Sequence, residues 1–306
     1  MILIAGGTGT LGGHLLPLLS ARGLDVRLFA RHANATGMAD AVGDDVQLIT
    51  GEVRDPAALR PALDGIDTVV SAITGFGGPG ALGTRAVDRD GNLALIEAAR
   101  QAGVRHVVLL SVHQAGPNHP IGLFRDKWAA EEALRSSGLD WTIVRPTAYL
   151  ETWLGLVGGP LIATGRTRIF GRGRSPINFV AAGDVARFVD MAIVDPRLRG
   201  TALEVPGPEN LTLDQLADVV ESVSRRHGSR QHLPPIAMRL ASAVMRRPNP
   251  VLAAQIHAAR VMDQRDMSVD GLALRAAFPS IPLTTARDVA VRLFGSSTSS
   301  RLAIPA

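Results

Sequence analysis

Lys127 is the only lysine among 306 residues; histidine aside, every other basic side chain is arginine. Arginine stays charged throughout, whereas the compact ammonium of lysine titrates when its surroundings demand it. A position that has stayed lysine in such a composition is a candidate for that chemistry. A second chemical signal lies at Gly6-Gly7-Thr8-Gly9-Thr10-Leu11-Gly12, which fits both Gly-x-Gly-x-x-Gly and Gly-x-x-Gly-x-x-Gly. It follows an apolar run, Ile2 to Ala5, and opens a helical pattern, Leu11 to Ala21. In that context the glycines permit a tight turn and let the backbone approach a pyrophosphate, whose charge meets free N–H groups at the helix start. Thr8, Thr10 and Leu11 share this loop and count with Gly6, Gly9 and Gly12 as candidate dinucleotide contacts.

The end of the second apolar run decides which dinucleotide. An acid there binds a ribose 2′-hydroxyl, and an arginine accepts a 2′-phosphate. The run closes in Phe29-Ala30-Arg31-His32, with Arg31 19 positions beyond Gly12 and no acid present. The expectation is NADP(H), with Arg31 as its main determinant.

These residues need elements to position them. Short apolar runs recur at Ile2 to Ala5, Val26 to Ala30, Val46 to Ile49, Thr68 to Ile73, Val104 to Ser111 and Trp141 to Val144. Helical patterns separate them at Leu11 to Ala21, Pro56 to Leu63, Arg85 to Ala102 and Phe124 to Ser136. The alternation predicts an α/β fold: a Rossmann-type, doubly wound parallel sheet with helices on both faces. After Pro146 the pattern loosens, and Val180 to Val194, Leu213 to Arg225 and Ile236 to Arg246 read as helices. The expected division is a cofactor-binding domain over 1–150 and a smaller, mostly helical substrate-side lobe over 151–295, interleaved with the core. A flexible tail is expected over 296–306.

Composition narrows the function classes. Hydrophobic residues make up 46% of the chain, enough for a large core, and there are no cysteines to form disulfides, thiol nucleophiles or thiolate metal sites. No apolar run is long enough to span a bilayer, and Trp153 to Thr164 reads as a pocket wall. The first strand begins at Ile2, so the expected location is cytoplasmic. The calculated isoelectric point is near 10.7, but the net charge is only +4. With one Lys, one Tyr and no Cys, little titrates between histidine and arginine, and a small excess lifts that value. Aromatics are 4% of the chain, which leaves little for base stacking beside Arg166 to Arg174 or Arg225 to Arg230. The expected partner is a small-molecule substrate, or a protein if the chain is non-catalytic, with no membrane partner and little to favour nucleic acid. No metal-ligand spacing, Gly-x-Ser-x-Gly elbow or triphosphate loop occurs, so metalloenzyme, hydrolase and ATPase readings fail.

Taken together, GGTGTLG, LFAR, GEVRDPAAL, AGVRHVVLLS, SGLDWTIVRP and INFVAAGDVA resemble the atypical short-chain dehydrogenase/reductase superfamily, in its NmrA-like and isoflavone-reductase-like branch. The resemblance covers about residues 1 to 220. It implies that Gly6, Gly9 and Gly12 form the pyrophosphate loop, that Glu52 or Asp55 lies near the adenine, and that Ala72, Ile73 and Thr74 line the cofactor. It also implies that Lys127 reaches the nicotinamide ribose and that a carbonyl-holding hydroxyl falls near Ser111-Val112-His113.

The departure is that no tyrosine precedes Lys127 in Leu123-Phe124-Arg125-Asp126, where the family carries its Tyr-x-x-x-Lys motif; Leu123 stands four residues ahead of the lysine and Phe124 three. Neither leucine nor phenylalanine can donate a proton, leaving Lys127 and His113 as local candidates; the alternative for His113 is a hydrogen-bonded structural residue at a strand end. Phe124, Tyr149 and Trp153 are expected pocket-wall residues. Glu131, one turn beyond Lys127, either pairs with it or belongs to an ordinary surface pair. The leading expectation is an NADPH-dependent oxidoreductase that passes hydride to a small conjugated acceptor: a quinone, enone, imine or aromatic carbonyl. The alternatives are a non-catalytic NADP(H)-binding sensor or assembly factor and, more weakly, a sugar-nucleotide epimerase or dehydratase.

Overall fold

The computed structural model describes residues 1–31, 46–76 and 83–295, and the expected tail lies outside them. The chain divides into two units: Met1–Pro146 with Val185–Val205, and Thr147–Asp184 with Pro206–Ala306.

In the first unit, β1 (Ile2–Ala5), α1 (Thr10–Ala21), β2 (Val26–Ala30), β3 (Val46–Thr50), α2 (Pro56–Leu63) and β4 (Thr68–Ser71) follow the expected alternation. Asp55 caps α2, accepting a bond from Ala57 N at 2.9 Å, which commits one of the two acids expected near an adenine. Next come a π-helical turn (Arg85–Gly91), α3 (Asn92–Gln101), β5 (His106–Leu110), α4 (Gly122–Arg135) and β6 (Asp140–Pro146). The helix expected over Arg85 to Ala102 thus begins as a π turn.

The second unit opens with β7 (Ala148–Tyr149), α5 (Leu150–Thr164), β8 (Arg166–Phe170) and β9 (Ile177–Val180), and α6 (Ala182–Val194) leads back to the first unit. There β10 (Thr201–Val205) joins the large sheet. Then follow β11 (Glu209–Leu211), α7 (Leu213–Ser224), β12 (Ser229–Leu233), α8 (Pro235–Met245), α9 (Pro250–Asp263), α10 (Leu272–Ala277) and α11 (Ala286–Phe294).

The first unit's sheet runs β10-β6-β5-β4-β1-β2-β3, with every pairing parallel. The chain reverses its winding direction between β1 and β4, and in such sheets ligands bind outside the carboxyl ends of the strands at that point. The central strands are apolar throughout because both faces are covered: Ile2, Leu3, Ile4 and Ala5 are all buried, as are Val107, Val108 and Leu109. The core on one face gathers Leu3, Phe29, Leu59, Leu63, Leu95, Val107, Leu134 and Ile143, each contributing about 1.5–3 kcal/mol on leaving water.

The second unit has its own core, built on Leu150, Leu154, Val157 and Leu161 of α5 against Phe179, Leu216, Val220 and Val289. The stretch read as a glycine-broken pocket wall is therefore part of a helix, and its apolar residues fall one helical turn apart. Two small sheets, β11-β9-β7 and β12-β8, accompany the helices. Among the described residues no helix is long and apolar enough to cross a membrane.

His106 shows how the first unit handles a buried titratable group. Thr142 Oγ1 donates to Leu198 O at 3.0 Å, so it accepts from His106 Nε2, also at 3.0 Å. The proton is thereby fixed on Nε2, leaving a buried Nδ1 without a hydrogen-bond partner among the described residues. Burial, reinforced by the charge of Arg199, pushes the imidazole down to about 4 from an ordinary 6.5. Below pH 6.5 the unfolded chain takes a proton that the folded chain refuses. Stability therefore falls as pH drops from 6.5 towards 4, by up to about 3 kcal/mol from this group. His106→Gln keeps the donor and removes the titration, so urea unfolding across this range is expected to show a shallower loss.

Candidate functional site

The glycine loop between β1 and α1 is set by close approach. Gly6 has φ +82°, and a Cβ there would lie 2.7 Å from the carbonyl of Ala72 and 2.9 Å from Ile73 N. A Cβ on Gly12 would lie 1.7 Å from Gly7 O. Both glycines are thus required by the protein's own packing. Gly9 differs, since a Cβ there would make only an ordinary contact, 3.6 Å from Gly6 O. It precedes α1 without a side-chain cap, and Thr8, Gly9 and Thr10 are exposed. Free N–H groups at an uncapped helix start and an unobstructed backbone suit a pyrophosphate. Leu11 is buried, so only its main chain faces such a ligand. Arg31 is exposed directly after β2.

Ala72, Ile73 and Thr74 leave β4 beside this loop and are held from behind by Lys127. On α4, Phe124, Lys127, Glu131 and Leu134 form the inward face, so two charged residues occupy positions where helical periodicity calls for apolar ones. Lys127 Nζ donates to Ile73 O at 2.9 Å and lies 3.1 Å from Asp88 Oδ1. The latter is an ion-pair contact without hydrogen-bond geometry, so Oδ1 is compensated by charge and not by a directed N–H. The other oxygen of Asp88 accepts from Gly75 N at 2.8 Å. Asp88 is wholly buried in the π-helical turn, and Asn92 beside it bonds both Asp88 O and the Ser71 hydroxyl.

Glu131 pairs neither with Lys127 nor with the surface. Fully buried, it receives the Ser111 hydroxyl, Arg145 Nε at 2.9 Å and Arg135 at 2.9 Å. The one proton of Ser111 is thereby committed inward. Arg145 reaches on to Glu204 Oε1 at 2.8 Å, and Glu204 Oε2 lies 2.7 Å from His113 Nδ1. Burial opposes ionisation of Glu204, but bonds from His113 and Arg145 outweigh it and hold the carboxyl below its ordinary range. An ionised carboxylate only accepts, so Nδ1 of His113 is the donor in this bond, which fixes the ring. The backbone of His113 is anchored to Pro146 O at 2.9 Å. A half-buried imidazole is thus oriented just beyond β5, at the carboxyl end of the sheet.

Phe124 is buried, with His119 stacked on it at 4.1 Å between ring centres. Tyr149 and Trp153 belong to the second unit. Desolvation, with Glu151 nearby, raises the phenol of Tyr149 above its usual range, so it remains a hydroxyl at working pH. Trp153 packs edge-on against Phe179, 6.2 Å away. Sequence reasoning missed Asp88, Arg145 and Glu204 altogether. Asp88 and Asn92 had one available signal: they share the inward spacing of Val87, Gly91, Leu95 and Ile96.

The fold and loop define a dinucleotide-binding domain, with a hydrogen-bonded histidine just beyond β5. A family model described as NAD(P)H-binding matches residues 6–196. The NAD(P)H azoreductase of Xenophilus azovorans is 29% identical over 228 residues, 74% of each chain. Photosystem II assembly factor Ycf39 of Synechocystis is 25% identical over 80% of this chain and 74% of its own. An NADPH-dependent quinone oxidoreductase of Escherichia coli shares the fold, with a TM-score of 0.75 at 21% identity over 96% of this chain and 100% of its own. The chain belongs to the NAD(P)H-binding family, and the relatives it resembles include both reductases and an assembly factor.

Removing one partner of the buried Lys127–Asp88 pair strands the other. Asp88→Ala is expected to lose about 3–5 kcal/mol in urea unfolding, while the apolar exchange Asp88→Leu with Lys127→Met recovers most of it.

Proposed function

We propose that the protein is an NADPH-dependent reductase of small conjugated acceptors whose reduced form is a stabilised anion: quinones, enones, imines or aromatic carbonyls. The observation that carries this reading is that the motif ahead of Lys127 holds no phenol, with Leu123 at the tyrosine position and the adjoining Phe124 buried, while an oriented histidine stands nearby in sequence at the carboxyl end of the sheet. Bound NADPH supplies the hydride; the chain's residues bind, orient and manage the proton. The loop of Gly6, Gly9 and Gly12 would receive the pyrophosphate, and Arg31 the 2′-phosphate. Lys127 holds Ile73 O and Asp88, so its part is to fix the β4 exit along which the cofactor would run. His113, with Nδ1 committed to Glu204, would deliver the proton from Nε2 after the acceptor has been reduced. An acceptor that stabilises negative charge needs little help before that step, which suits a motif without a phenol.

The test is NADPH binding by fluorescence, followed by its oxidation at 340 nm against a panel of these acceptors. Wild type is expected to bind and turn over. Arg31→Asp is expected to shift preference towards NADH. His113→Ala is expected to lower turnover about 10²–10⁴-fold with NADPH affinity unchanged. Tight binding without oxidation of any acceptor would instead favour the non-catalytic reading, to which the likeness to an assembly factor lends support.

A further inference from the structure

Helix α8 carries its apolar side chains on the wrong face for a helix bathed in water. Met238 is buried and Ser242 bonds to Ala253 O of α9, which fixes the inward side. On the opposite side Ile236, Leu240 and Val244 recur one turn apart and are 75%, 63% and 66% exposed. A surface helix normally places charged or polar residues there. Arg239, Arg246 and Arg247 flank this stripe and are exposed as well.

The surrounding sequence is one-signed. From Ser222 to Met262 there is no Asp or Glu, while Arg225, Arg226, Arg230, Arg239, Arg246, Arg247 and Arg260 all fall within it. Arg230 is neutralised by Asp218 and Glu221, outside this stretch. The three arginines beside the apolar stripe have no carboxylate near them in sequence. An apolar ridge edged by cations is the pattern of a helix lying in a bilayer interface, with its apolar side among the acyl chains and its cations at anionic headgroups.

We propose that α8 docks the protein peripherally on an anionic lipid surface, with Ile236, Leu240 and Val244 as the inserted residues and Arg239, Arg246 and Arg247 as the headgroup contacts. The sequence-based expectation of no membrane partner rested on the absence of a spanning run, which does not bear on a helix lying flat. Docking of this kind is independent of turnover and brings the protein to the phase in which apolar molecules concentrate.

The experiment is co-sedimentation of the full chain with vesicles of phosphatidylcholine alone, or of phosphatidylcholine mixed equally with phosphatidylglycerol, at low and high salt. Binding is expected only to the mixed vesicles, and weaker in high salt. Each of Arg239→Gln, Arg246→Gln and Arg247→Gln should weaken it about five-fold. Ile236→Ser with Leu240→Ser should weaken it at least about ten-fold, with the melting temperature and NADPH affinity unchanged, because these side chains already face water. Wild type that sediments with neither vesicle, or serine variants that bind as wild type does, would overturn the proposal. It would also be overturned by sedimentation velocity showing a dimer that the serine variants dissociate without any vesicle binding, since the stripe then seats a second copy.

Discussion

The first unit is organised around an ion pair that water never reaches. Two buried charges are stable only when geometry and further hydrogen bonds replace the lost hydration, and Lys127 and Asp88 achieve this by gripping the exit of β4. The ammonium takes Ile73 O and the carboxylate takes Gly75 N, so helix α4 and the π-helical turn both close on one short stretch of chain. Gly6 rests against Ala72 and Ile73 of that stretch, with no room for a single added carbon. The glycine loop, the β4 exit and the pair behind them are consequently one rigid assembly. Displacement at any point transmits to the others, because close-packed interiors have little slack.

One turn further along α4, Glu131 anchors a different set of elements. Its bonds to Ser111, Arg145 and Arg135 tie α4 to the ends of β5 and β6, and Glu204 on β10 extends the chain of charges to His113. The alternation of cation and anion pairs each charge of this network with an opposite one. Arg145 is held firmly protonated by its bonds to Glu131 and Glu204, despite its burial. The single helix α4 thus braces two places: Lys127 steadies the exit of β4, and Glu131 steadies the ends of β5 and β6.

The fold was legible because parallel strands covered on both faces must be apolar runs, and β1, β2 and α2 begin and end where the sequence places them. The loop was legible because glycine spacing is a local property. Contacts between distant segments leave no such mark: Asp88 and Lys127, or His113 and Glu204, meet only after the sheet has formed. Part of the signal was nevertheless present. Asp88 and Asn92 before α3, and Lys127 and Glu131 on α4, are polar residues at inward positions, and a buried polar residue requires a partner. What the sequence could not supply was the identity of that partner. Helix α5 was obscured by glycines and Pro160, although Leu150, Leu154, Val157 and Leu161 keep helical spacing.

Burial of Lys127 has a consequence for the chemistry of the surface. With only one side-chain amine in the chain, and that one enclosed beside Asp88, amine-directed acylation finds no exposed lysine. Modifications that act on lysine elsewhere, such as acetylation or attachment of another protein through an isopeptide bond, find no exposed acceptor on the folded chain. Its outer cations are guanidinium groups, which keep their charge through such reactions. The electrostatic character of the surface is therefore fixed by the sequence and insensitive to the cell's lysine chemistry.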